Sequence, residues 1–149
     1  MKSVMEFDSK EQKFLAEARV GRLATVSGAG KPHVIPICFA LLKNHIYSPI
    51  DSKPKGVPPK GLRRIRNILE NPSVCLIVDL WSEDWSFLGY LLMTGRAGVI
   101  ESGEEYEESL AALEDKYTQY REMGLAALGM PVIKITLEKK HAWGNLVGS

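Results

Sequence analysis

Arg22-Leu23-Ala24-Thr25-Val26-Ser27, then Gly28-Ala29-Gly30-Lys31, then His33-Val34-Ile35-Pro36-Ile37-Cys38-Phe39-Ala40-Leu41-Leu42 is the stretch on which the fold turns. Both flanks are rich in β-formers and the glycines between them supply a turn, so the segment reads as a β-hairpin. A second turn at Lys43-Asn44-His45 leads into His45-Ile46-Tyr47-Ser48, giving three strands in meander order. Downstream, Val74 to Leu80 is a near-continuous apolar run of strand length. Phe87 to Ile100 reads as a longer strand that Gly95 and Gly98 are placed to bend or bulge, and Val132 to Leu137 alternates as a half-exposed strand does. Six strands with hairpin-length links predict a mainly β protein, an antiparallel barrel with helices at its ends.

Three helices fill the gaps. Ser9-Lys10-Glu11-Gln12 fits a capping box, and Phe14, Leu15 and Ala18 follow at helical spacing, so a helix is expected from about Ser9 to Ala18. Leu62, Ile65, Ile68 and Leu69 recur at three- and four-residue intervals between Lys60 and Glu70, where Asn71-Pro72 stops the pattern. Tyr106, Leu110, Leu113, Tyr117 and Tyr120 form one stripe of a helix from Glu104 to Met123, with Ser102 or Gly103 as N-cap. Its acids cluster in the first turns, where the helix dipole favours them, so the acidic block needs no functional explanation. From Ser48 to Pro59 four prolines and a glycine exclude helix and central strand alike, which makes that segment a loop.

The chain has 149 residues, 45% hydrophobic and 25% charged, enough for one domain over residues 1–149 that buries roughly 68–70% of its unfolded surface without disulfide or metal. Residues 144–149 are expected to be loose. No apolar run approaches the roughly 20 residues of a membrane span, and the acidic, h-region-free start does not read as a secretory signal, so a cytoplasmic protein without membrane contact is expected. Cys38 and Cys75 lie in strand-like runs without metal-ligand spacing and read as buried thiols; no metal is expected. A net charge of +1 is too balanced for a general nucleic-acid binder, although Lys53 to Arg66 carries six bases and no acid.

Catalytic strings are absent. Gly28-Ala29-Gly30 lacks a third glycine and Lys31 precedes Pro32, which rules out a dinucleotide fingerprint and a P-loop, and no GxSxG or HExxH string occurs. The histidines His33, His45 and His141 read as strand-end or turn residues. Lys60, Arg63, Arg64 and Asn67 stand at i, i+3, i+4 and i+7, Lys53 and Lys55 approach from the loop, and a helix N-terminus adds free N–H groups. These compose either a phosphate site or a solvated basic face opposite Leu62, Ile65 and Leu69. Periodicity leaves both open.

A resemblance favours the first. Arg19-Val20-Gly21-Arg22-Leu23-Ala24-Thr25-Val26, then Gly30-Lys31-Pro32-His33-Val34-Ile35-Pro36-Ile37, resembles the opening strands of the pyridoxamine-phosphate-oxidase-like family of flavin- and deazaflavin-binding split barrels. Ile46-Tyr47-Ser48 and the run from Leu62 to Val74 through Asn71-Pro72 are similar to the family's cofactor-touching strand and basic helix. Asp51-Ser52-Lys53-Pro54-Lys55, Asp84-Trp85-Ser86 and Gly95-Arg96-Ala97 resemble its branch of coenzyme F-420-dependent oxidoreductases. The resemblance implies a six-stranded antiparallel split β-barrel with flanking helices, a homodimer, and cofactor sites at the subunit interface. By position it gives the cofactor phosphate to Lys53, Lys55, Arg63 and Arg64, and the ring system to Tyr47, Ser48, Pro49 and Ile50, with backbone contacts from Pro36 and Ile37. The cofactor is coenzyme F-420 or FMN; Lys60 and Arg66 suit the longer acidic tail of the first.

Hydride transfer needs orientation and water exclusion rather than a nucleophile, so no catalytic residue is assigned. Trp85 and Trp143, with Trp81, read either as walls of a pocket for a small conjugated substrate or as dimer-interface aromatics. The expected activity is that of a flavin- or deazaflavin-dependent oxidoreductase; the alternative is a non-enzymatic module binding the same cofactors on the same fold.

Overall fold

The computed structural model of the chain describes residues 5–50 and 61–146. Its strands are β1 (Gly21–Val26), β2 (Pro32–Ile37), β3 (Ala40–Leu42), β4 (His45–Pro49), β5 (Ser73–Leu80), β6 (Gly89–Ile100) and β7 (Val132–Gly144). All pair antiparallel in the order β2-β1-β5-β6-β7-β4-β3. Strands β2 and β3 stand at opposite edges of that order, yet only Cys38 and Phe39 separate them in the chain. Six strand spacings would hold the edges of a flat sheet ~29 Å apart, whereas three residue steps reach only about 10–11 Å. The sheet must therefore curl until its edges meet, forming a barrel whose seam lies between β2 and β3.

That seam accounts for a strand count of seven instead of the predicted six. The run from His33 to Leu42 does not continue as one strand: its first part pairs with β1 and its second with β4, and it breaks at Cys38-Phe39 to cross the seam. The turn from β3 into β4 holds Lys43 at φ 50° and Asn44 at φ 64°, the two left-handed positions of a tight hairpin whose twist suits the strands.

Alternation along the strands fills the barrel. Leu23, Leu76, Val78, Leu91, Met93, Ile133 and Ile135 point inward and are buried, joined by Phe14 and Leu15 from helix α1 (Ser9–Glu17) and Ile65 and Ile68 from α2 (Arg63–Glu70). Each such side chain contributes about 1.5–3 kcal/mol by leaving water. A second cluster joins Tyr47, Tyr106, Leu110, Leu113, Tyr120 and Val132 beneath α3 (Glu104–Lys116), α4 (Thr118–Met123) and α5 (Leu125–Leu128).

Three local expectations are corrected. The capping box of α1 is Asp8 with Glu11, one residue before the predicted string: the Asp8 carboxylate accepts from Glu11 N–H at 2.8 Å and the Glu11 carboxylate from Asp8 N–H at 2.9 Å. Glu11 also pairs with Lys140 of β7 at 2.6 Å, a partner that Gln12 could not match. The single helix expected from Glu104 to Met123 breaks at Tyr117, whose extended backbone (φ −116°, ψ 109°) ends α3. Leu69, counted with the inner stripe of α2, is exposed, while Asn67 is buried in its stead. The long strand β6 does carry an irregularity at Thr94/Gly95 in its pairing with β7. A Cβ at Gly95 would land on the Thr136 carbonyl, so only glycine fits there.

Candidate functional site

A cleft of about 190 Å³ opens at the seam. Its walls come from four separate segments: Pro36 and Ile37 at the end of β2 with Cys38 after it, Ser48 and Pro49 at the end of β4, Arg64 in the first turn of α2, and Arg19-Val20 between α1 and β1. As a sheet edge, β2 leaves alternate N–H and C=O groups unpaired by β1 on this side. Apolar Val20, Ile37, Pro36 and Pro49 alternate with two guanidinium groups, a lining that suits a flat ring system carrying negative charge.

Each wall is held by contacts the sequence supplies elsewhere. Ser48 is buried, and its hydroxyl donates to the Cys38 carbonyl at 2.8 Å, fixing β4 to the strand link across the seam. Asn67, one turn after Arg64, is 2% exposed and donates from Nδ2 to Thr25 Oγ1 of β1 at 3.0 Å. At the other end of α2, Glu70 accepts from Gly28 N–H at 2.9 Å, tying the helix to the β1–β2 turn. The first turn of α2 has Leu62 as N-cap with no side-chain hydrogen bond, so its N–H groups are not capped from within the helix.

Tyr117 organises the remaining wall. Its hydroxyl accepts from Phe39 N–H at 3.1 Å and donates to the Arg19 carbonyl at 3.0 Å, joining the strand link to the α1–β1 connection. Burial, outweighing all else, pushes this phenol up to about 12. Arg19 stacks over the Tyr117 ring at 5.5 Å and donates from one terminal nitrogen to the carbonyl of Lys116, the last residue of α3. That carbonyl is one of the helix's orphan acceptors, and a cation is favoured there.

Among the residues singled out from sequence, Pro36, Ile37, Ser48, Pro49 and Arg64 converge on the cleft. Arg63 is exposed on the same helix but is not part of the lining. Ile50 is wholly buried in the barrel core. Tyr47 faces away from the cleft: its hydroxyl donates to Glu105 of α3 at 2.7 Å, and that carboxylate also binds Lys134 at 2.6 Å, which with the Tyr47 bond holds the acid low. Burial first, then Glu105, drives the Tyr47 phenol up. Trp85 and Trp143 are exposed at the far end of the long strands, Trp143 stacked on Tyr90 at 5.6 Å. The Asp84-Trp85-Ser86 string is a local turn in which Asp84 accepts from Ser86 N–H and Oγ, bonds that lower its pKa. Lys53, Lys55 and Lys60 lie outside the described residues.

Arg19, Val20 and Cys38 also line the cleft, beyond the residues expected from sequence. Arg19 and Val20 open the family-like string itself, and the brevity of the link between α1 and β1 was the signal that they must sit at the barrel's end. Cys38, expected as a buried thiol, is half-buried and lines the cleft, and Cys75, expected likewise, is half-buried on the outer face of the sheet. Among the described residues no helix is long and apolar enough to cross a membrane.

Comparison with known proteins gives one family. The model described as pyridoxamine 5'-phosphate oxidase matches residues 7–144. A curated relative, the 5a,11a-dehydrotetracycline/5a,11a-dehydrooxytetracycline reductase of Streptomyces rimosus, is 33% identical over 75 residues, and the match spans half of each chain. Solved structures agree on the fold. A conserved hypothetical protein of Mycobacterium tuberculosis superposes with a TM-score of 0.76 at 16% identity, covering 97% of this chain and 88% of the other. The heme storage protein HutZ of Vibrio cholerae gives 0.72 at 19% (94% and 95% covered), and an FAD-binding protein of Mesorhizobium loti gives 0.66 at 22% (95% and 97%).

Proposed function

We propose that this chain, which belongs to the pyridoxamine 5'-phosphate oxidase family, binds a flavin or deazaflavin in the seam cleft and serves hydride transfer to a small conjugated organic substrate. The observation that carries this reading is the convergence of Pro36, Ile37, Ser48, Pro49 and Arg64, from three elements far apart in sequence, on one cleft of mixed apolar and polar lining with two guanidinium groups. This donor set fits a phosphate-bearing ring system. A bound flavin or deazaflavin supplies the hydride-carrying ring. The chain supplies position, charge and dryness: Pro36, Ile37 and Pro49 offer apolar surface to a ring, while Arg64 and the first N–H groups of α2 form the anion end. The reading extends that end to Arg63, Lys53, Lys55 and Lys60, and the further positive charge of Arg66 favours coenzyme F-420 over FMN.

Two further points belong to this reading. The Streptomyces rimosus relative is a reductase of a polycyclic conjugated molecule, which supports reduction of that kind of substrate. At about 190 Å³ the cleft among the described residues is smaller than the ~300–1,000 Å³ of sites that enclose a whole ligand, and the reading has a second copy of the chain complete the site. A non-enzymatic binding module is the second reading, supported by the heme storage protein among the structural neighbours. Parallel calorimetric titrations with FMN, coenzyme F-420 and hemin test the cofactor class, and turnover of the cofactor-loaded chain on conjugated substrates separates the enzyme from the module. One flavin-type cofactor should bind, and Arg64→Ala should weaken it roughly ten- to a hundred-fold, as loss of a charged hydrogen bond does. Flavin or deazaflavin binding without turnover would favour the module, binding of hemin alone would overturn the flavin reading, and binding of none would remove the cleft from consideration.

A further inference from the structure

Helix α3 stops at Tyr117 for no local reason. From Glu104 to Met123 the chain holds neither glycine nor proline, and the apolar stripe runs unbroken through Leu113, Tyr117 and Tyr120. The break also has a local cost: α4 restarts at Thr118 with Tyr117 as an N-cap that makes no side-chain hydrogen bond to the freed N–H groups. The contacts that offset this cost lie 78 and 98 residues away in the chain. The Tyr117 hydroxyl accepts from Phe39 N–H at 3.1 Å, and its one proton faces two carbonyls, that of Arg19 at 3.0 Å and that of Phe39 at 3.2 Å. The ring that carries it is fixed too, edge-on to Tyr120 at 5.3 Å and under the Arg19 guanidinium at 5.5 Å. Cys38 C=O and Phe39 N–H belong to one peptide unit, which is thus held at both ends, by the Ser48 hydroxyl at 2.8 Å and by Tyr117. Arg19-Val20 and Cys38 are walls of the seam cleft, whereas Tyr117 stands behind the lining.

We propose that Tyr117 is a positioning residue of the seam cleft: its hydroxyl fixes the separation of the Arg19-Val20 and Cys38-Phe39 links and thereby the fit of a bound ring system. This role rests on the cofactor reading of that cleft. Both links lie between elements, Arg19-Val20 after α1 and Cys38-Phe39 between β2 and β3, so no strand ladder holds them. A flat ring gains its contact energy only from walls held close to it, since a gap of about 0.5–1 Å forfeits roughly a quarter to a half of the attraction of each atom pair. Supporting hydrogen bonds from behind a lining are what hold such walls in place. A helix that continued through residue 117 would keep its own ladder and leave both links without this hydroxyl. Departure from the local pattern at one residue, matched by bonds only at the cleft, is the mark of a functional constraint.

The test sets Tyr117→Phe, which deletes the hydroxyl and keeps the ring, beside Leu110→Val, which loosens the same helical cluster away from the seam. Both chains, folded by circular dichroism, are titrated calorimetrically with FMN and with coenzyme F-420. The methyl signals of the cleft residues Val20 and Ile37 are followed by NMR without cofactor. Tyr117→Phe should shift both signals and weaken whichever cofactor the wild type binds about ten-fold or more, as loss of a hydrogen bond behind a contact layer does. Leu110→Val should lower the urea midpoint and leave affinity and both signals as they were. In the wild type, without any variant, the Phe39 amide should exchange slowly with solvent because the hydroxyl holds it. Signals or affinity left unchanged by Tyr117→Phe, equal changes in Leu110→Val, or a Phe39 amide exchanging like an open loop would overturn the proposal. A wild type that binds neither cofactor would instead sink the cofactor reading, and the methyl signals and amide exchange would still decide whether Tyr117 holds the cleft.

Discussion

Asn67 and Thr25 show how a single buried polar pair sets the position of a charge. Both side chains are 2% exposed, so each must find its partner inside the protein, and each finds the other across the α2–β1 contact. Asn67→Ala leaves the Thr25 hydroxyl without that donor and should cost about 1–3 kcal/mol, read as a lower urea midpoint at unchanged slope. Leu69→Ala on the same helix should cost far less, since Leu69 is 60% exposed. Equal losses from the two variants would mean that α2 is held by apolar contact alone. Because Arg64 lies one turn before Asn67, loosening this pair should also weaken any anion binding at the cleft. Thr25 was legible as part of a family-like string; that its task is to hold the helix was not, because its partner stands 42 residues away.

At the scale of elements, pattern and partner diverge in the same way. The strands could be read because period-two alternation is local, and β1, β4, β5 and the irregular β6 appear within a residue or two of their expected places. The break of β2 from β3 could not, because it answers to a seam that closes only when all seven strands are in order. The break at Tyr117 is of the same kind: its side chain continues the helical stripe, but its hydroxyl is engaged by the backbones of Phe39 and Arg19. The candidate site followed suit, with Pro36, Ile37, Ser48, Pro49 and Arg64 legible through resemblance, Arg19 signalled by the short α1–β1 link, and Cys38 visible only once the seam exists. Gly95 and Gly98, alike in sequence, test the element directly. Gly95→Ala forces a methyl onto the backbone of β7 and should cost about 1–3 kcal/mol or more. Gly98→Ala meets nothing within 4 Å and should be neutral or stabilise by up to about 1 kcal/mol. Thermal denaturation of the two variants side by side checks the pairing: similar midpoints would show that the β6–β7 irregularity absorbs a side chain.

The whole molecule presents an outer sheet face that one chain leaves half-covered. The paired rows run Ala24-Cys75-Thr94 and Arg22-Ile77-Leu92-His141, with Asp79-Tyr90-Trp143 beyond them. Ala24, Cys75, Ile77, Tyr90 and Leu92 are each half-buried, and the ion pair of Arg22 with Asp79 lies beside them. An apolar centre with polar flanks on a single face is what a self-complementary contact between two copies requires. A second copy seated on this face would meet β5 and β6, the middle of the strand order, across the barrel from the β2–β3 seam, so the contact is distinct from the cleft and from that of a copy completing the site there. Size-exclusion chromatography with light scattering should then give twice the 16.6 kDa chain mass. Leu92→Asp sets a charge in the middle row, which a dry interface cannot solvate, and should return the single-chain mass with the fold kept by circular dichroism. Cofactor affinity should be unchanged in the same variant, because Leu92 lies across the barrel from the cleft lining. A wild-type chain that stays single at tens of micromolar and still binds one cofactor per chain would show that the seam cleft is sufficient by itself.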